Sequence, residues 1–390
     1  MLSRCCAELS QKPCTQATSA APAGARLGLN LAEMWHFNQI MGDTMKHFRF
    51  SIGVTIVLMG VAAWWGYSRG GIPGLLTALW SSAVLGVLEV SLSFDNAVVN
   101  ASVLRHWDAF WRTLFLTVGI LIAVFGMRLV FPLLIVGVAT GLGMIDVWHL
   151  ALESPDEYSR HLTDSHAQVA TFGGAFLLLV FLNFLFDEEK ELHWLGWIEE
   201  KVGKYGSEGL AVLLTLGASY LAMTMLPEAQ KLSVLASGVL GVAIYVGVDW
   251  LSGLLEEKEH DPSLGKMISR GSFGGFMYLE VLDASFSFDG VIGAFAITND
   301  VVIIMLGLAI GAMFVRSMTV FLVEKGTLQE FVYLEHGAHY AIGILAIIMF
   351  ASVKYHIPEW FTGLSGVAFI LVSLWSSRRY KKTQLASEPA

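Results

Sequence analysis

The chain has 390 residues, 55% of them hydrophobic and 15% charged, and its mean hydropathy is +0.62. A water-soluble domain of this size cannot cover its surface with so few polar side chains, so a lipid bilayer is the expected surrounding. The formal charge of −9 comes from acids in connecting loops and in a few apolar segments, so it points to no basic partner, and nucleic acid is not expected as one.

All three cysteines, Cys5, Cys6 and Cys14, precede residue 15, which leaves the apolar body without a thiol for a disulfide, a redox pair or a soft-metal site. Residues 1–44 have small and polar stretches such as Thr15 to Gly24, scattered arginine and no 20-residue apolar run. They are expected to be a mis-annotated upstream start or a disordered extension. An organellar presequence is the competing reading, and Glu8, Glu33 and Asp43 count against it. From Met45 the chain passes through Lys46, His47 and Arg49 into its first apolar run, as a bacterial inner-membrane protein commonly begins.

Runs long enough to cross about 30 Å of hydrocarbon fall at residues 50–67, 75–103, 112–140, 167–186, 208–226, 232–254, 271–298, 300–322, 335–353 and 359–376. Only Asn299 and Asp300 separate the seventh run from the eighth, so the expectation is nine to ten spans. Ten put both termini on one side. The loops then assigned to the cytoplasm hold fifteen Lys and Arg from Lys46 onward, against four outside (Arg69, Arg160, Lys231 and Lys354), which orients the chain N-in and C-in. The domain reading is a membrane body over 45–380 and a cytoplasmic tail over 381–390. The longest outside loop carries Asp146, Glu153, Asp156, Glu157 and Asp164, expected to be a solvated loop rather than a cation funnel.

An internal repeat is written into two of these spans. Glu89-Val-Ser-Leu-Ser-Phe-Asp95-Asn96 in the second matches Asp283-Ala-Ser-Phe-Ser-Phe-Asp289-Gly290 in the seventh, position for position: acid, any residue, Ser, apolar, Ser, Phe, Asp. Each copy leads into a span in which a glycine precedes an arginine by nine residues, Gly119 with Arg128 and Gly307 with Arg316. Five spans separate the copies, so they run in opposite directions, with repeat one about 75–186 and repeat two about 271–353. The fold class expected is an all-α transmembrane bundle with an inverted-topology repeat, an architecture in which transporters place substrate near the midplane.

Acids inside hydrocarbon cost several kcal/mol each and are functional candidates by default. The candidate metal ligands are Glu89, Asp95, Asn96, Asp283 and Asp289, with Ser93, Ser287, Glu280, Arg128 and Arg316 in support. Residues six apart lie about 120° apart around an α-helix, so Glu89 and Asp95 cannot both face one ion from a straight helix. Either the helix unwinds between them, or Asp95 and Asp289 face the ion while Glu89 and Asp283 support from behind. The competing structural reading has Arg128 and Arg316 neutralising Asp95 and Asp289. Carboxylate, amide and hydroxyl oxygens suit Mn²⁺, Mg²⁺ or Ca²⁺ better than copper or zinc. His336 and His339 are candidates for a borderline ligand or for plain interfacial residues, Asn183 for a helix–helix contact or a ligand, and Asp249 for a snorkelling acid.

The two acidic motifs, with Val315-Arg316-Ser317 and Tyr333-Leu334-Glu335-His336-Gly337, resemble the TerC family of integral membrane proteins from about residue 75 to 375. The resemblance implies an inverted-repeat exporter of Mn²⁺ or a related divalent cation, with Glu89, Asp95, Asn96, Asp283 and Asp289 as the matching positions, and it carries a link to tellurium resistance. Two departures are Gly290 after Asp289, where many relatives have Ser or Asn, and Asp283 where Glu is expected. A secondary transporter, with no tightly bound cofactor, is the leading class, since neither a Walker-type loop nor a pump signature is present. A non-transporting component of a stress-resistance or protein-assembly complex is the second. An intramembrane aspartyl protease lacks its expected Gly-x-Gly-Asp motif, so no enzyme is expected.

Overall fold

The computed structural model describes residues 31–187, 190, 192–255, 271–324 and 331–387. Among them it is helical throughout, with no strand. Contacts divide the chain into two compact units, Met1–Met45 and Lys46–Ala390. Of the first, only residues from Leu31 onward are described, and they are helical; everything below concerns the second.

Among the described residues seven helices are long and apolar enough to cross a membrane, or eight if one bent pair counts as a span. They expose Trp64, Trp80, Val138, Leu232 and Trp250, large apolar side chains that water would not tolerate in such number. This is the make-up of a multi-pass membrane protein. The difference from nine to ten has local causes. Helix α1 (Leu31–Leu92) runs for 46 residues from His47, about 69 Å at 1.5 Å per residue, more than twice a hydrocarbon core. It is broken at Gly70 (φ −144°) and Gly71 (φ 61°), the second in the left-handed region that glycine enters without strain. A methyl group placed on Gly66 would strike the Gly74 carbonyl and the Ala78 side chain. In one straight helix those residues would be about 12 Å apart or more, so the two arms fold back on each other as a hairpin.

Helix α2 (Phe94–Leu104) follows after Ser93 alone. The next span, Ala109–Thr140, is compound: α3 (Ala109–Leu114), π-helical stretches Phe115–Gly119 and Ile122–Val130, then α4 (Phe131–Thr140), which ends on Gly141 at φ 75°. The acidic loop beyond it folds as α5 (Met144–Glu153) and α6 (Pro155–Asp164). Tyr158 is buried there against Phe295, its phenol pushed up in pKa by loss of water, and Asp156 accepts from the Asn299 amide at 2.5 Å. The loop is therefore docked onto the body.

Helix α7 (His166–Phe186) threads the bundle. α8 (Trp197–Tyr205) meets α9 (Glu208–Thr224, 17 residues) at a bend of 99° and forms the bent pair with it. Then come α10 (Glu228–Leu255), α11 (Phe273–Ala294), α12 (Val301–Glu324), α13 (Leu334–Ser352) and α14 (Glu359–Ser387). α11 is long enough to span and is kept out of the seven by Glu280, Asp283 and Asp289. Of these seven, α7, α12 and α13 are the most enclosed, and Phe176, Leu179, Leu279, Leu282 and Ile342 fill the space between their neighbours. Asn183 donates to the Tyr245 hydroxyl at 2.7 Å, which makes it a helix–helix contact.

Candidate functional site

The site is built where helices meet at glycine. Gly86 and Gly311 let α1 and α12 approach until the Glu89 side chain lies on the Gly311 backbone: a methyl on Gly311 would meet Glu89 Cγ at 2.6 Å. On the other side, a methyl on Gly119 would lie 2.5 Å from Glu280 Oε1 of α11. So the helix that follows each acidic motif packs on the other copy, at the first acid of the motif in one case and one turn before it in the other. Asp283 lies ten residues into α11, about 15 Å from its start, half the depth of a 30 Å core.

Glu89 forms an ion pair with Arg128 and accepts from Ser93 Oγ at 2.8 Å. Arg128 also donates to the Ala123 carbonyl at 2.6 Å. The Asn96 amide donates to Asp283 Oδ1 and bridges the two copies. The helix breaks at Ser93 (φ −98°, ψ 15°), yet Ser93 N still bonds to the Glu89 carbonyl at 2.9 Å, so the first motif is kinked rather than unwound. α11 passes through the second motif without a break.

The structure therefore brings together Glu89, Ser93, Asn96, Asp283 and Arg128, and leaves others apart. Asp95 accepts from the Asn96 backbone N–H at 2.9 Å and turns its carboxylate onto α14, against Gly366. Arg128 pairs with Glu89 and not with Asp95, the partner that the competing structural reading gave it. Arg316 donates through Nε to the Leu116 carbonyl at 2.8 Å and lies over the Phe50 ring. The Ser287 hydroxyl is buried without a hydrogen-bond partner. The side chain of Asp289 lies outside the described residues. Among those described, no three His, Cys, Asp or Glu side chains converge closely enough to hold a metal ion. His336 and His339 stand elsewhere: His336 contacts the Leu192 carbonyl at 2.9 Å and lies 3.7 Å from Glu199, and His339 stacks on Phe184 at 3.9 Å.

A cavity of about 40 Å³ lies beside the Glu89–Arg128 pair, between the π-helical span, α11 and α12. Its polar lining is Asn100, Arg128, Glu280, Asp283, Arg316 and Thr319. Asn100 carried no role in the sequence reading. It stands one turn after Asn96 on α2, a spacing of four that puts both amides on one helix face.

The sequence pattern of a family described as a protein of unknown function, DUF475, matches residues 94–384. The chain belongs to the DUF475 family. The matched region takes in Asp95, Asn96, Asn100, Arg128, Glu280, Asp283, Asp289 and Arg316; the α1 hairpin and Glu89 precede it. No curated protein and no solved structure matches this DUF475 chain.

Proposed function

We propose that this DUF475 protein is a secondary transporter that exports a divalent metal cation, Mn²⁺ first and Ca²⁺ or Mg²⁺ as alternatives, through its intramembrane carboxylates. One observation carries the reading. The carboxyl groups of Glu89, Glu280 and Asp283 are buried around Arg128, the one guanidinium buried in the described residues, and that of Asp95 is buried apart from them against α14. Such an excess of acid is unstable in a low-dielectric interior unless cations, metal ions or protons, enter to balance it. The ligand set proposed remains Glu89, Asp95, Asn96, Asp283 and Asp289, with Ser93, Ser287, Glu280, Arg128 and Arg316 in support. Release of Glu89 from Arg128 is part of loading.

The reading takes ten crossings: two arms of α1, the second continued by α2, then Ala109–Thr140, α7, α9, α10, α11, α12, α13 and α14. An inverted repeat is supported by the repeated motif and by the cross-packing at Gly119 and Gly311. With N-in and C-in orientation, the setting proposed is a bacterial inner membrane, and the likeness to TerC proteins agrees with it. The second reading, a non-transporting membrane component of a tellurium-resistance, stress-resistance or assembly complex, draws on the Glu89–Arg128 pair, which satisfies both charges internally.

The test is manganese content and tolerance of an exporter-deficient bacterium expressing the wild type or the Asp95→Asn/Asp289→Asn protein, at membrane levels matched by immunoblot. Lower metal with wild type alone supports transport. No change for Mn²⁺, Ca²⁺ or Mg²⁺ with wild type removes the transport reading.

A further inference from the structure

The cavity beside Arg128 is lined by oxygen acceptors that nothing satisfies. Glu280 is 4% exposed and neither of its carboxylate oxygens has a hydrogen-bond partner. Asp283 spends Oδ1 on Asn96 and keeps Oδ2 free, and Asn100, 6% exposed, has Oδ1 free as well. All three residues line the same space. A buried polar atom left without a partner costs about 1–3 kcal/mol and a charged one more, so three such residues around one void mark a place where something is held. The missing partner is a donor or a cation, because every unsatisfied atom on α2 and α11 here is an acceptor oxygen.

Size and charge narrow the choice. A volume of about 40 Å³ takes two or three waters, or one small cation with a water or two. Facing the cavity from the π-helical span is Arg128, whose charge is engaged by Glu89 through Nη2 and whose Nε is unpartnered. From α12 comes Arg316, half-buried and tied through Nε to the Leu116 carbonyl. Carboxylate and amide oxygens with room for water form the donor set of a hard divalent ion that keeps part of its hydration.

We propose that this cavity is a divalent-cation site in which Glu280 and Asn100 are direct ligands beside Asp283. Asn100, which belongs to neither acidic motif, supplies the amide oxygen, and waters complete the shell. Gly119 is part of the site because any side chain there would occupy the space of the Glu280 carboxylate. The inference rests on the transport reading in taking the buried acids as a path for cations, and it names a station on that path one turn from the expected ligands.

The test uses the purified full chain in detergent. Mn²⁺ binding is followed by loss of the free aqueous Mn²⁺ electron-paramagnetic-resonance signal, and Ca²⁺ and Mg²⁺ by competition. Glu280→Gln and Asn100→Ala are expected to weaken Mn²⁺ binding by about tenfold or more. Gly119→Ala is expected to weaken it too, although it alters no charge and no ligand, so it keeps the test open where a charge variant fails to fold. Binding by folded Glu280→Gln and Gly119→Ala proteins at wild-type affinity overturns the site, as does a wild type that binds none of the three ions. Glu280-dependent binding in a protein that exports no metal removes the transport reading and leaves the site standing. Export that survives with binding indifferent to Glu280 and Gly119 does the reverse.

Discussion

Glu89 and Arg128 are both nearly free of solvent contact, at 2% and 3% side-chain exposure, so neither charge has water to fall back on. Removing one partner of a buried pair costs about 3–5 kcal/mol, whereas replacing both by apolar groups is far milder. Arg128→Met is therefore expected to lower the thermal unfolding midpoint of the detergent-solubilised protein sharply, and Glu89→Leu/Arg128→Met to recover most of the loss. An equal loss in single and double variants would show that the pair is not what holds this region. Sequence reasoning reached the acids of this cluster because carboxylates in an apolar run are conspicuous. The competing structural reading gave Arg128 to Asp95 and the structure gives it to Glu89, since a spacing along one helix says nothing about which side chain of another helix comes within reach. Asn100 escaped notice for a related reason: an amide one turn beyond the motif looks like any polar interruption until Asp283 and Glu280 are seen across from it.

Helical winding accounts for the unequal fate of the two arginines. Gly119–Arg128 and Gly307–Arg316 share a spacing of nine, and on an α-helix nine residues turn through about 900°, leaving the pair on opposite faces. α12 is α-helical throughout, and there Gly307 packs on Leu85 while Arg316 points to Leu116. The first copy is π-wound over Phe115–Gly119 and Ile122–Val130. Bonds from i to i+5 widen the turn, so nine residues make roughly two turns and both residues face one cavity. A repeat in sequence did not reveal this, because π winding leaves no simple signature in residue type.

The α1 hairpin was legible as two apolar runs, but its contact depends on small residues at Ala62, Gly66, Gly74 and Ala78. Gly66→Leu is expected to disrupt it, with loss of folded protein in fluorescence-detected size exclusion. Gly70→Ala, whose added methyl meets nothing within 4 Å, is expected to leave the profile near wild type. At the entry to α8, the buried Glu199 carboxylate accepts from Trp194 N at 3.2 Å, Leu195 N at 3.1 Å and Tyr340 Oη at 2.8 Å. Glu199→Ala strands three donors at about 1–3 kcal/mol for each buried group. Faster proteolysis around Gly196 to Tyr205 is the expected readout; unchanged cleavage would mean the start of α8 is held by packing alone.

At the scale of the whole molecule, composition sufficed for the all-helical, bilayer-bound class, because apolar excess of this degree leaves few alternatives. The number of crossings is harder, since a hairpin can read as one long helix and a span rich in acid falls below any hydropathy threshold. Labelling resolves it. With Cys5, Cys6 and Cys14 replaced, single cysteines at Gly70, Leu142 and Lys354 are expected to react with an impermeant maleimide from one side, and those at Arg105 and Tyr205 from the other. Gly70 and Arg105 reacting from the same side would make the second arm of α1 with α2 a re-entrant loop.

The depth of Asp283 has an electrical consequence. A charge moved across a membrane works against about 2.3 kcal/mol for each 100 mV, so a divalent ion brought halfway feels about the same amount, roughly fiftyfold in its binding constant. For the proposed cation site this makes occupancy a function of voltage as much as of concentration, and hyperpolarising the membrane is expected to shift loading of that proposed site without any change in metal supply.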